Sequence, residues 1–207
     1  FPFLTSSVFG MHSAKADAGS DAATVTTWDS NDYANFQVYA VADTFKEDEE
    51  ASKSVQFIMK SYNGVLPTLT SSLYMDQYKD VKWNFAVRVK PKGYPYIGTT
   101  ITGSLGKDYD VEFEGISTIS DGVINSFKAT GSITNAAGLN FITQKKRLYA
   151  GAHRTNFTGS VREFSDALVS SCRYWADDLT SDEFKAHAID PSTYGVITPN
   201  ENSYLTI

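Results

Sequence analysis

The chain has 207 residues, of which 14% are aromatic and 20% charged, and its formal net charge is -6. An acidic chain lacks the basic stripe that neutralises phosphates, which excludes a nucleic-acid grip, and no apolar run approaches the length of about 18 residues that a membrane-spanning helix needs. A single cysteine, Cys172, excludes an internal disulfide framework and leaves the fold to rest on its core.

The length suits one large all-β domain, since such sandwiches and barrels run to about 200–250 residues. Phe1-Pro-Phe-Leu4 carries neither an initiator Met nor the basic head of a signal peptide. The expected organisation is therefore a single domain over residues 1–207, a module of a longer polypeptide. Ser6-Ser-Val-Phe-Gly10 opens it, and strands are predicted around 35–42, 54–60 and 71–76, with a turn at Asn63-Gly64. Glu47-Asp-Glu-Glu50 reads as a solvated loop, because contiguous carboxylates point in different directions.

Lys82 to Val89 alternates with period two, placing Trp83, Phe85, Val87 and Val89 on one face and Lys82, Asn84, Ala86 and Arg88 on the other. After a turn at Pro91-Lys-Gly93, Tyr109 to Gly115 repeats the pattern with Tyr109, Val111 and Phe113 inward. Further strands are predicted at 123–131, 146–152 and 168–175, with turns at Asp121-Gly122 and Gly159. In the last of these strands Cys172 and Tyr174 take the inner face. Thr180 and Glu183 have capping-box spacing and start a helix that Asp190-Pro191 stops, expected to plug an edge or end of the sandwich through Leu179 and Phe184. The fold class is all-β, a two-sheet antiparallel jelly-roll sandwich with one short C-terminal helix. Trp83, Phe85, Val87, Val111, Phe113 and Tyr174 are its expected core.

Asp110, Glu112 and Glu114 occupy alternate positions and so share one face of their strand. That spacing allows carboxyl groups to approach the separation of about 5–5.5 Å used by retaining glycosidases. The plainer reading is a polar outer face opposite a buried one. A bridging hard cation such as Ca²⁺ is the third, because such ions favour oxygen ligands. His153, Arg154 and Asn156 lie in a segment after a strand, where binding residues collect, and suit a sugar, a phosphate or an acidic patch of a partner. Asn156-Phe-Thr158 also fits an N-glycosylation acceptor, while His12 and His187 show no partner pattern. No phosphate loop, zinc-spaced Cys/His set or GxSxG elbow is present, which leaves nucleotide, structural-zinc and serine-hydrolase readings without support.

The order of Trp83-Asn-Phe-Ala-Val87, Tyr109 to Gly115, Leu148-Tyr-Ala-Gly-Ala152, Phe157-Thr-Gly-Ser-Val161 and Arg173-Tyr-Trp175 followed by Leu179-Thr-Ser-Asp-Glu183 resembles the laminin-G-like, concanavalin A-like jelly-roll domains. The resemblance covers residues 55–190. With Ser6 to Gly10 and the stretch from Gly151 to Gly159, the chain is similar to such modules in structural proteins of viruses, tailed phages especially. It implies binding of glycans, of Ca²⁺ in some members, or of neighbouring protein subunits, and it does not imply catalysis. Glycoside hydrolases of this fold carry Glu-x-Asp-x-Glu, whereas this chain has Asp-x-Glu-x-Glu, so nucleophile and helper would have the wrong lengths. The expected function is a non-enzymatic binding or assembly module of a virion structural or surface protein, located on a virion or extracellular surface. Other structural subunits and glycans are its expected partners. The alternatives are a secreted glycoside hydrolase using Asp110, Glu112 and Glu114, and a cellular adhesin module.

Overall fold

Period-two alternation becomes two antiparallel sheets in the computed structural model, which describes residues 5–13, 34–42, 54–62, 64–75, 81–94, 107–120, 122–144, 146–151 and 164–193. Strands β1 (Thr5–Ser13), β2 (Ala34–Ala42), β3 (Val55–Lys60) and β4 (Leu69–Thr70) form one sheet with β8 (Lys146–Ala150), in the order β4-β3-β2-β1-β8. Strands β5 (Trp83–Pro91), β6 (Tyr109–Ile119) and β7 (Gly122–Ile133) form the other, with β6 in the middle. Strands adjacent in sequence pair with one another, and the one non-sequential neighbour among the described strands is β8 beside β1. The chain thus makes the all-β, two-sheet antiparallel sandwich that its alternation predicts.

The core lies between the sheets. Met11, Phe36, Val38, Val55, Phe57, Met59 and Leu69 face Val111 and Phe113 across it. Phe57 is the contact point, its ring 4.6 Å from that of Trp83, 4.7 Å from Phe85 and 5.9 Å from Phe127. Val111 and Phe113 are completely buried because β6 has a neighbour on each side. Trp83, Phe85 and Val87 point inward as expected but are half-buried, because β5 is the edge of its sheet. Gly115 matters here for close approach: a Cβ on it would run into the Phe127 ring that crosses it.

Two helices complete the described structure. α1 (Asn135–Thr143) has no counterpart in the sequence expectations, and it closes one end of the core with Phe141. Thr134 caps it, its hydroxyl accepting from the Ala137 amide at 3.3 Å, and Gly138 lets the helix backbone sit on the Tyr109 ring. α2 (Ser181–Ile189) starts at Thr180 as expected. The Glu183 amide donates to the Thr180 hydroxyl at 3.3 Å, and the Thr180 amide donates to the Glu183 carboxylate at 2.7 Å.

The position of α2 corrects one expectation. It plugs neither an edge nor an end: Phe184 and Ala188 pack on Ile116 and Ala86, on the outer face of the three-stranded sheet. A second correction concerns 168–175, which forms no strand; Cys172 is exposed and Tyr174 is 52% exposed. Alternation gives a segment two faces but supplies no neighbour to take its backbone hydrogen bonds, and both sides of β6 are already occupied. The strand expected at 71–76 is not formed over the described residues 71–75, which make one isolated bridge between Val55 and Tyr74; the short β4 lies just before it.

Two substitutions test this packing by denaturant unfolding. Phe113→Ala is expected to cost roughly 3–5 kcal/mol, as for other large truncations in a core, and a change near zero would mean that β6 is inside out. Thr180→Ala is expected to cost about 0.5–2 kcal/mol through loss of the α2 cap.

Candidate functional site

Register assembles the site. Across the outer face of the three-stranded sheet, Lys90, Asp110 and Ser132 stand in one row, Arg88, Glu112 and Thr130 in the next, and Ala86, Glu114 and Lys128 in the third. Directly opposed residues bring their Cβ atoms within about 4.5–5.5 Å, so carboxylates on the middle strand are forced next to cations on the flanking ones.

Arg88 Nε lies 3.0 Å from Glu112 Oε2, and Arg88 Nη2 pairs with Glu114 Oε2. Lys128 Nζ is 3.0 Å from Glu112 Oε2, and Lys90 Nζ is 3.9 Å from Glu112 Oε1 and 2.8 Å from Asp178 Oδ2. This face is not solvated, as a polar outer face would be: Arg88, Glu112 and Glu114 are 8%, 9% and 7% exposed. The lead into α2 covers them. Arg88 Nη1 donates to the Leu179 carbonyl at 2.7 Å, and the Ser181 hydroxyl donates to Glu114 Oε2 at 2.9 Å. Burial pulls the Glu112 carboxyl upward, but the Lys128 hydrogen bond and the charges of Arg88, Lys90 and Lys128 outweigh it and hold the group below its ordinary 4.5.

The carboxylates of the closed part of this face are already paired within the chain. Among the described residues no three His, Cys, Asp or Glu side chains are grouped to hold a metal ion, so a Ca²⁺ bridging Asp110, Glu112 and Glu114 finds no support. The positive charge at Glu112 and Glu114 is the chain's own.

One end of the row is different. An open pocket of about 420 Å³ is lined by Lys92, Asp110, Glu112, Thr130, Gly131 and Ser132. Among the described residues the Asp110 carboxylate and the Lys92 ammonium make no ion pair or side-chain hydrogen bond, and Thr130 and Ser132 expose their hydroxyls. The pocket therefore offers donors and acceptors that are still to be used.

The three carboxylates do share a face, as their spacing predicts, but only Asp110 and part of Glu112 reach open space. His153, Arg154 and Asn156 lie outside the described residues. Sequence reasoning did not single out Arg88, Lys92, Lys128, Thr130 or Ser132 as site residues. The available signal was the outward Arg88 and Lys90 at alternate positions of the strand preceding the carboxylates. A second polar group was also missed. On the outer face of the five-stranded sheet, buried His12 lies 3.4 Å from Gln37 Oε1, and Gln37 Nε2 donates to Ser7 Oγ at 2.5 Å. Ser7 Oγ in turn donates to the Gly151 carbonyl at 3.0 Å, and the Tyr149 ring packs edge-on against His12. With Gln37 between Ser7 and His12, this network ties β1, β2 and β8 together.

Arg88→Ala is expected to cost about 3–5 kcal/mol in denaturant unfolding, the range for removing one partner of a buried ion pair, and a change under about 0.5 kcal/mol would mean that the face is solvated. Acid gives the second test. A carboxyl held below its ordinary value contributes stability that is complete above 4.5 and is lost as pH falls through the lower folded pKa, because the unfolded chain takes up the proton first. The denaturant midpoint should fall in that acid window, and Glu112→Gln should flatten the fall.

Comparisons with protein-family models, with curated proteins and with solved structures found no match.

Proposed function

We propose that the chain is a non-enzymatic binding and assembly module whose ligand-facing surface is the open pocket at Asp110. One observation carries this reading: of the three carboxylates on the middle strand, Glu112 and Glu114 are paired with Arg88 and Glu114 is also bound by the lead into α2, while Asp110 opens into a polar pocket with unused partners. Glycoside hydrolysis needs a pair of carboxyl groups whose environments split their acidities, one protonated and one ionised. Glu112 is held ionised, and Glu114 is bound to Arg88 and Ser181, which supports binding over hydrolysis.

Asp110, Lys92, Thr130 and Ser132 present both donors and acceptors, the mixture that hydroxyl-rich ligands use, so a glycan is the favoured ligand. The setting follows from the resemblance to modules of viral structural proteins: a virion or extracellular surface, among other structural subunits.

The test is a glycan-array screen of the chain with and without Ca²⁺, run beside an assay for oligosaccharide cleavage. Binding without cleavage, unaffected by chelation, is expected. Asp110→Asn should weaken that binding roughly tenfold or more, the scale of one charged hydrogen bond. Cleavage, or binding indifferent to Asp110, would contradict the reading.

A further inference from the structure

The sequence gives His187 no partner pattern, whereas the fold places it at the centre of a clasp around the end of α2. Arg173, in the segment that leads into the helix, lies with its Nη1 2.5 Å from His187 Nδ1, donates from the same nitrogen to the Thr193 carbonyl at 2.7 Å, and reaches the Pro191 carbonyl through Nη2. The Trp175 ring lies 5.7 Å from the imidazole, centre to centre. One guanidinium thus joins the chain before α2 to the chain after it, through a titratable ring. Little packing holds the approach to it, because residues 166–174 are exposed at every position.

Donor chemistry fixes the state of that ring. A guanidinium only donates, so His187 Nδ1 has to accept, which leaves the imidazole neutral with its proton on Nε2. Nε2 is buried and has no hydrogen-bond partner among the described residues. A proton added at Nδ1 would set an N–H and a positive charge against the guanidinium. An acceptor for that proton is already in reach, since the Thr193 carbonyl lies 3.1 Å from Nδ1. The carbonyl that Arg173 now holds is therefore the one that a protonated His187 takes.

Two charges act on His187, Arg173 from the segment before the helix and Glu183 from one turn earlier in α2. Burial and the Arg173 charge outweigh the Thr193 carbonyl and Glu183, and they hold the imidazole below its ordinary 6.5. The other acids of the lead-in and of the helix end are engaged elsewhere: Asp177 with Tyr94, Asp178 with Lys90 and Asp190 with Ser192.

We infer that Arg173, His187 and Thr193 form an acid-released clasp: in weakly acidic solution His187 takes a proton on Nδ1, donates it in a hydrogen bond to the Thr193 carbonyl and expels Arg173, which frees the chain ahead of Trp175 while the end of α2 stays closed. The clasp shares no residue with the pocket at Asp110, so ligand binding and release of the segment are judged separately.

Cys172, the chain's single cysteine, is exposed and adjacent to Arg173, so a nitroxide attached to it reports the release with no other residue changed. Between about pH 7.5 and 5, above the range in which ordinary carboxylates titrate, a mobile component of its spectrum should grow with a midpoint below 6.5. His187→Gln keeps an acceptor for Arg173 but takes no proton, and its label should stay restrained across the range. Arg173→Gln should leave the label mobile at every pH, and the His187 midpoint, followed by NMR of the imidazole protons, should move up toward 6.5 as the like charge is removed. A label indifferent to pH in the wild-type chain, the same transition in His187→Gln, or a His187 midpoint that Arg173→Gln leaves unmoved would each overturn the clasp.

Discussion

The structure depends on one strand being buried on both of its faces. Val111 and Phe113 of β6 fill the space between the sheets, and Glu112, Glu114 and Ile116 of the same strand lie beneath α2 and its lead-in. The first burial is favourable by the apolar area removed from water. The second places two carboxylates where an unpaired charge would be costly, and the Arg88 guanidinium makes it tolerable. Arg88 joins the two carboxylates to the Leu179 carbonyl and so ties sheet to helix as well as acid to base.

The same strand grades from closed to open along its length. At the far end the Thr118 hydroxyl and Lys82 both donate to the Ala188 carbonyl at 3.3 Å, locking the end of α2. Glu114 is shared between Arg88 and Ser181, Glu112 between Arg88 and Lys128, and Asp110 opens into the pocket. Charge that serves stability and charge that is free to meet a ligand therefore lie on alternate residues of one strand. On the proposed reading this gradient favours binding over catalysis: a carboxylate engaged by a guanidinium and a hydroxyl is not at liberty to attack a sugar or to donate a proton to it.

Much of the sandwich was legible because Trp83 to Val89 and Tyr109 to Gly115 alternate cleanly, and period-two alternation fixes faces whatever the partner. Exposure was not legible in the same way. Residues 168–175 read as a less clean strand, yet they form none, and a sequence pattern does not say whether a partner strand exists. α1 escaped because Asn135-Ala-Ala-Gly-Leu-Asn-Phe-Ile-Thr143 carries a glycine and no charge, leaving Thr134 as its one start signal. The outer face of β6 was misjudged for a related reason. Asp-x-Glu-x-Glu reads alike whether water or arginine faces it, and only the register with Arg88, Lys90 and Lys128, set by the turns and by pairing far apart in sequence, distinguishes the two.

A double-mutant cycle between Arg88 and Glu114, with Arg88→Met and Glu114→Gln alone and together in denaturant unfolding, tests the central interaction most directly. If the pair is a buried knot between sheet and helix, the two losses are strongly non-additive, with a coupling of roughly 1–3 kcal/mol. Additivity within about 0.3–0.5 kcal/mol would contradict it, leaving Arg88 and Glu114 as neighbours on a wet surface.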